Sequence, residues 1–439
     1  MDSYDAWPFR PFQQRSIEEN ERWWRECYLP HSAVDLLLTA PHWTLLVGSP
    51  GSGKSVAINA LTQRKKQALF IIPYPPHRWP GAGTALLPAK HSHFPQMMAA
   101  AVLALRDFLA QHPAAAANLS EFELEFLRWL FTFYMGQRAY SRLVRYLPAD
   151  QQQRFQAVSF VDLYTDADAP MVVQAQIDEL VCFVQALGFE RVVFTVDLPG
   201  QGSTEQKQGI ADLFGWLELT HHPGFSVVAA VPQHLMEDGM ILQRARGRAR
   251  AITLDWTSAL CQKVADLHVQ QAVRQPDMTL RKLASPGLLD KVGQTVVSEY
   301  GRHVPVGWVA IAETLLHLHT THQIKQLLDC KWKKRVELAF YQRHMPLRID
   351  LEAHGVWRGP RFIRLDDQPL NFLSLLYTRR RHPINWEDDE LRTLAGSKGN
   401  VHSLASRTRK MIEPVEGETI YLINKRGEGG YWLENIADF

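Results

Sequence analysis

The sequence predicts an α/β protein in three parts: a core with a parallel sheet and a helical insertion, a helical lid, and a small α+β winged helix at the C-terminal end. Three observations carry this. Continuous apolar runs at 43–47, 67–73, 190–197 and 225–231 have the length and β-branched content of buried parallel strands. Residues 48–55, GSPGSGKS, stand between the first run and a helical pattern beginning at residue 56. From residue 345 the pattern changes to short strands, three helices and a hairpin.

The 439 residues allow about three domains. They are assigned as 1–255 for the core with its N-terminal segment, 256–344 for the lid and a linking helix, and 345–439 for the winged helix. With 46% hydrophobic and 21% charged residues the composition is that of a soluble globular protein. A net charge of +2 excludes a global attraction to polyanions, so any nucleic-acid surface must be local. The four cysteines are far apart and none forms a C-x-x-C pair, which reads as buried thiols in a reducing, cytoplasmic setting. The first residues lack the apolar centre of a signal peptide, and no apolar run is long enough to cross a membrane.

In chain order, 16–28 begins with the S-x-x-E of a capping box, and Trp23 and Trp24 are expected to pack on the core. The stretch 48–55 fits G-x-x-x-x-G-K-[ST]: glycines let backbone N–H groups cradle phosphate oxygens, and the helix N-terminus adds its dipole. Gly48, Ser49, Pro50, Gly51, Ser52, Gly53, Lys54, Ser55 and Val56 are therefore candidate nucleotide-binding residues. Lys54 would reach the β- and γ-phosphates and Ser55 would hold Mg²⁺. After the 67–73 strand, about 93–185 is mostly helical and carries no recognisable chemistry, so it reads as a scaffold or partner surface.

The run 190–197 ends in Asp197, the acid expected on the magnesium side. Leu198 follows it, and two alternatives stay open: Glu205 or Asp212 acts as base, or hydrolysis is slow. Gln233 stands just past the 225–231 strand, as a plain loop residue or, by resemblance to P-loop ATPases, as a γ-phosphate sensor. Four arginines occupy 244, 246, 248 and 250 before a short strand at 251–254. Helical periodicity at 257–273, 288–300 and 308–319 gives the lid, with the turn GRHVP at 301–305. His303, His317, His319 and His322 have no acid or cysteine at ligand spacing and read as polar surface. A basic amphipathic helix is expected over 325–343.

These motifs, up to about residue 335, resemble the AAA+ and STAND branches of P-loop ATPases, nearest to origin-recognition-like and transposition-regulator ATPases. The resemblance implies ATP and Mg²⁺ as cofactors, an ATP-driven conformational or assembly cycle, and a homo-oligomer or protein partner. Relatives carry a glutamate after the magnesium-side acid, where this chain has Leu198. The turn at 301–305 resembles their Gly…Pro turn that closes over the base, which implies Pro305 as a nucleotide-binding residue; they often carry an arginine after that proline, where this chain has Val306. One of the four arginines, represented by Arg246, would be a finger reaching a neighbouring subunit.

Residues 346–435 resemble the OmpR/PhoB family of winged helices through LRID, FIRLDDQPLNFLSLLY, the R-x-R-K at 407–410 with Glu413-Pro414, and YLINKRGEGGYWL. The third helix, expected over 400–413 with Asn400 as its cap, would enter a major groove. By position, Ser403, Ser406, Arg407, Arg409, Lys410, Lys425 and Arg426 would face double-stranded DNA, and Tyr431 would anchor the wing. Thr408 replaces the usual leucine between the two arginines. The functions consistent with this reading are an ATP-binding, slowly hydrolysing, DNA-associated switch, a nucleotide-liganded transcriptional regulator without turnover, or a STAND-type sensor, for example in defence signalling, whose winged helix packs on protein.

Overall fold

The computed structural model describes residues 21–39, 43–64, 68–75, 89–161, 163, 170–198, 202–216, 222–324, 326–379, 382–385, 387–425 and 430–437. The chain forms two compact units: Pro30–Ser49 with Gly53–Asp255, and Met1–Leu29 with Pro50–Ser52 and Trp256–Phe439. The described part of the N-terminal segment, 21–29, thus clusters with the C-terminal half. Its helix α1 (Glu21–Glu26) buries Trp23, whose ring meets His268 at 5.9 Å. The expectation that Trp23 and Trp24 pack on the core is corrected accordingly: their rings meet 5.5 Å apart, and Trp24 leans on Tyr28.

In the first unit, α2 (Ser32–Thr39) precedes β1 (Thr44–Gly48), α3 (Lys54–Arg64) and β2 (Leu69–Pro73). Five helices follow: α4 (Ala89–Gln111), α5 (Glu121–Met135), α6 (Gln137–Tyr146), α7 (Ala149–Ala157) and α8 (Pro170–Ala186). Then come β3 (Arg191–Asp197), α9 (Thr204–Phe214), β4 (Phe225–Pro232), α10 (Met240–Ala245) and β5 (Arg250–Thr253). The strands make one parallel sheet in the order β2-β3-β4-β1-β5. Every residue of β1 and β4 is buried, as their unbroken apolar runs require. The insertion is not a separate body. Met97, Leu105, Trp129, Phe131 and Phe155 share one apolar core with Trp43, Phe194 and Phe225 of the sheet region.

In the second unit, α11 (Ser258–Val273), α12 (Leu280–Leu283), α13 (Pro286–Tyr300), α14 (Pro305–Thr321) and α15 (Lys333–His344) form the lid. α15 starts later than the basic pattern implied, after a single 3₁₀ turn at Cys330–Trp332 capped by Asp329. The C-terminal part expected to be a winged helix follows: β6 (Leu347–Asp350), β7 (Gly355–Arg358), β8 (Arg361–Arg364), α16 (Asp367–Thr378), α17 (Asp389–Ala395), α18 (Lys398–Ile412), β9 (Leu422–Lys425) and β10 (Gly430–Leu433). β7 lies in the HGVWRGP stretch at 354–360. It is the central strand of an antiparallel sheet, β6-β7-β8. Ser397, not Asn400, caps α18, its hydroxyl accepting the Asn400 N–H at 3.3 Å.

Lid and winged helix share one core: Val296, Trp308 and Phe340 cluster with Val356, Phe372 and Tyr421. Two further expectations are corrected. His319 is not surface: it is buried, bonded to the Leu283 and Ile324 carbonyls at 2.9 Å each. Cys182 and Cys330 are exposed, while Cys27 and Cys261 are buried. No described helix is long and apolar enough to cross a membrane.

Candidate nucleotide site and nucleic-acid face

The register of the sheet assembles the first site. Gly48 at the end of β1 stands opposite Pro232 of β4, and Asp197 at the end of β3 stands opposite Ala230. The carboxyl ends of these strands therefore present the glycine loop, the Gln233–His234 step and Asp197 side by side, the usual ligand edge of an open parallel sheet. Gly51 and Gly53 take positive φ, 76° and 88°, which turns successive N–H groups inward ahead of α3. Lys54 is only 7% exposed. Its ammonium donates to the Gly48 and Ser49 carbonyls at 3.0 and 3.2 Å, folded back into its own loop. Burial holds its pKa below the ordinary lysine value, against the opposing pull of Asp197.

The loop tip, Pro50–Ser52, packs within the second unit. There the Trp256 indole N–H donates to the Ser52 carbonyl at 2.8 Å, and Val306 Cγ1 lies 2.0 Å from where a Cβ on Gly51 would stand. Gly51 is thus fixed both by its φ and by Val306, the residue after Pro305 at the start of α14.

The donor set fits a magnesium nucleotide. The Ser55 hydroxyl is on the exposed side of the first turn of α3, and half-buried Asp197 ends β3. Among the described residues no cluster of three or more His, Cys, Asp or Glu could hold a metal by itself. One carboxylate and one hydroxyl suit Mg²⁺, which keeps waters and takes phosphate oxygens. Gln233 opens a 3₁₀ turn, and its buried side-chain oxygen has no hydrogen-bond partner. Two further side chains here, His234 and Lys207, escaped sequence reading. Burial lowers the pKa of His234, and Lys54 and Lys207 push it the same way against Glu237. Lys207 pairs with Asp238. Their signal lies only in the fold, which brings Lys54 and Lys207 close enough to act on His234.

The two candidate bases separate. Glu205 is exposed in the first turn of α9. Asp212 lies about 10 Å further along the same helix, engaged by Gln208 at 2.8 Å and by Arg244 at 3.7 Å. Leu198 is 2% exposed and belongs to the apolar core, with its N–H bonded to the Ala230 carbonyl. A glutamate there would bury a carboxylate rather than meet a water. Leu198→Glu is thus expected to lower stability by several kcal/mol without raising turnover. Urea denaturation and phosphate release on the same preparation test this; a faster, equally stable variant would refute it. Arg246, the finger candidate, is exposed and left-handed (φ 46°) between α10 and Gly247. Such strain in a non-glycine residue marks a position to test for function.

On the winged helix, α18 turns His402, Ser403, Ser406, Arg407 and Lys410 to solvent along one face. Arg407 donates to the Gln368 side chain at 2.6 Å. Arg409 departs from its expected role. It is half-buried, donates to the Leu422 carbonyl at 2.9 Å and lies 5.9 Å over the Tyr431 ring. It braces the wing instead of facing outward. Tyr431 is buried as anticipated, its hydroxyl meeting His402. Thr408 is buried in the leucine position, its hydroxyl returned to the Leu404 carbonyl at 2.8 Å. Glu413 clamps β9 by accepting the N–H groups of Ile420, Tyr421 and Leu422 at 2.8–3.0 Å. Arg426 lies outside the described residues, and Lys425 is described for its backbone alone.

No family model and no curated protein matches the sequence. Similar solved structures include the Aeropyrum pernix Orc1 protein in complex with DNA, at 9% identity and TM-score 0.36, covering 93% of this chain and 90% of that one. Cdc6p from Pyrobaculum aerophilum is 9% identical with TM-score 0.32, over 97% and 93%. The Thermotoga maritima RuvB Holliday junction branch migration motor is 10% identical with TM-score 0.30, over 97% and 96%.

Proposed function

We propose that this chain is an ATP-binding, DNA-associated molecular switch of the AAA+/STAND kind that hydrolyses ATP slowly. The observation that carries it is the shared edge of Lys54, Ser55 and Asp197 on a parallel sheet, in a chain that also displays the basic face of α18. The N–H groups of 51–55 and the α3 N-terminus would bind the phosphates. Lys54 would leave the Gly48 and Ser49 carbonyls for phosphate oxygens. Ser55 and Asp197 would hold Mg²⁺, whose charge offsets that of the triphosphate. Glu205 is the remaining candidate to orient water. With Leu198 in the core and Val306 where an arginine is usual, turnover is slow, and Arg246 of a neighbouring copy would supply the finger. Ser403, Ser406, Arg407 and Lys410 would meet duplex DNA.

Phosphate release measured with and without duplex is the test. Stimulation by duplex, with Arg407→Ala/Lys410→Ala lowering the salt slope of duplex binding by about 1.8, supports the switch. Duplex binding without turnover under any condition would make nucleotide a mere ligand of a regulator. Absence of salt-dependent duplex binding would favour the sensor, a reading for which the burial of the β7 side of the winged helix against α13 speaks.

A further inference from the structure

We propose that α6, in the helical insertion, is a binding stripe for single-stranded nucleic acid. It lies on the unit that lacks the winged helix, and it does not depend on the function proposed above. One face of α6 is locked in the core. Tyr140, Leu143 and Val144 are buried, and the Tyr140 hydroxyl donates to the Phe155 carbonyl at 2.9 Å. The opposite face is Arg138, Ser141, Arg142, Arg145 and Tyr146, all exposed. At 3.6 residues per turn these positions form a single row about 12 Å long.

Charge and shape then narrow the occupant. Among the described residues no carboxylate pairs with Arg138, Arg142 or Arg145, and none of the three has a further partner. Arg128, by contrast, is committed to the Tyr140 ring at 5.5 Å. Like charges three and four residues apart cost a helix a few tenths of a kcal/mol per pair. With a net charge of only +2 the row is no by-product of a basic composition. All three cations are arginine, the side chain whose planar fork matches phosphate.

Tyr146 is 62% exposed and stands one turn beyond Arg142. Phe133 and Met135, both exposed, end α5 just before the Gly136 corner from which α6 starts, and one face of Phe133 is stacked on Trp129. Cations along a row with apolar platforms at its ends suit phosphates of a strand whose unpaired bases can stack. A duplex keeps its base faces inside, and an acidic peptide leaves the rings unused.

The experiment is fluorescence anisotropy of the full-length protein with a labelled oligo(dT) of about 20 nucleotides and a matched duplex, from roughly 50 to 200 mM salt. Arg138→Gln/Arg142→Gln/Arg145→Gln is expected to weaken oligo(dT) binding at least roughly tenfold and lower its salt slope by about 2, at 0.7 per phosphate contact. Tyr146→Ala is expected to weaken oligo(dT) binding roughly tenfold and leave the duplex unchanged. Unchanged far-UV circular dichroism shows that these surface variants fold. No binding of oligo(dT) by the unaltered protein, or an unchanged slope in the triple variant, overturns the proposal. So does equal loss of strand and duplex with Tyr146→Ala silent, which would make α6 a duplex surface. Arg407→Ala/Lys410→Ala, read in parallel, reports on the winged helix alone and keeps the two readings separable.

Discussion

Arg358→Ala is expected to destabilise the C-terminal unit by about 3–5 kcal/mol, more than any other single side-chain truncation in the winged helix. Arg358 on β7 and Glu299 on α13 are 4% and 3% exposed. The guanidinium donates to both carboxylate oxygens, at 3.0 and 2.8 Å, and its third nitrogen reaches the Ile412 carbonyl at the end of α18, at 2.9 Å. The Tyr341 hydroxyl of α15 donates to the same carboxylate at 2.9 Å. Burial alone would disfavour the Arg358 charge, but the hydrogen bonds and charge of Glu299 more than offset it, and its pKa is raised. Alanine would leave the buried carboxylate with only the Tyr341 hydroxyl and the more distant, exposed Arg361 guanidinium at 3.6 Å. Glu299→Leu/Arg358→Met, which removes both charges and keeps volume, is expected to recover most of the loss. Chemical denaturation of the single and double variants decides the matter. A loss below about 1 kcal/mol for Arg358→Ala would place the pair in water, at surface strength.

The same pair has a mechanical consequence within that unit. α13, α15, β7 and α18 converge on one ionic knot inside one core, so a displacement of the lid helices carries the winged helix with them. The exposed face of α18 is left free for a ligand while its far end is held. A winged helix on a flexible tether would decouple the two.

How much of this was legible in the sequence depends on what kind of signal each feature leaves. Strands β1, β3 and β4 could be read because burial on both faces demands an unbroken apolar run, and the glycine turn between β1 and α3 because its residues stand at a fixed spacing. Asp197 followed from the strand that ends in it. The Arg358–Glu299 knot was illegible, since its partners are 59 residues apart and each alone looks like a surface charge. Strand β7 was missed because its four residues sit between turn formers. Arg409 was misplaced because a helical wheel distinguishes faces but not an arginine that folds back to brace a wing. Leu198 shows the reverse case. The departure from the expected glutamate was visible, whereas the reason it cannot simply be reversed, a core-facing side chain, was not.

Lys54→Met is expected to separate the two demands placed on the phosphate loop. In the folded chain the ammonium is buried, with a lowered pKa, so at neutral pH its charge opposes folding relative to a solvated lysine. Methionine keeps the stem and removes that charge, together with the donors to the Gly48 and Ser49 carbonyls at 3.0 and 3.2 Å. Those two carbonyls are buried, so losing their donors offsets the gain from removing the charge, and the apo variant should melt close to the unaltered protein. Ligand response should fall. A nucleotide at a hundred times its Kd adds about 2.7 kcal/mol to the unaltered protein, a shift of about 5–10 °C for a unit of this size. The variant should lose nearly all of it, because the positive charge that compensates the triphosphate is gone. Thermal melts with and without MgATP measure both effects on one sample. If Lys54→Met kept the full MgATP shift, the nucleotide would be bound elsewhere in the chain, and the loop at 48–55 would be a turn without a ligand.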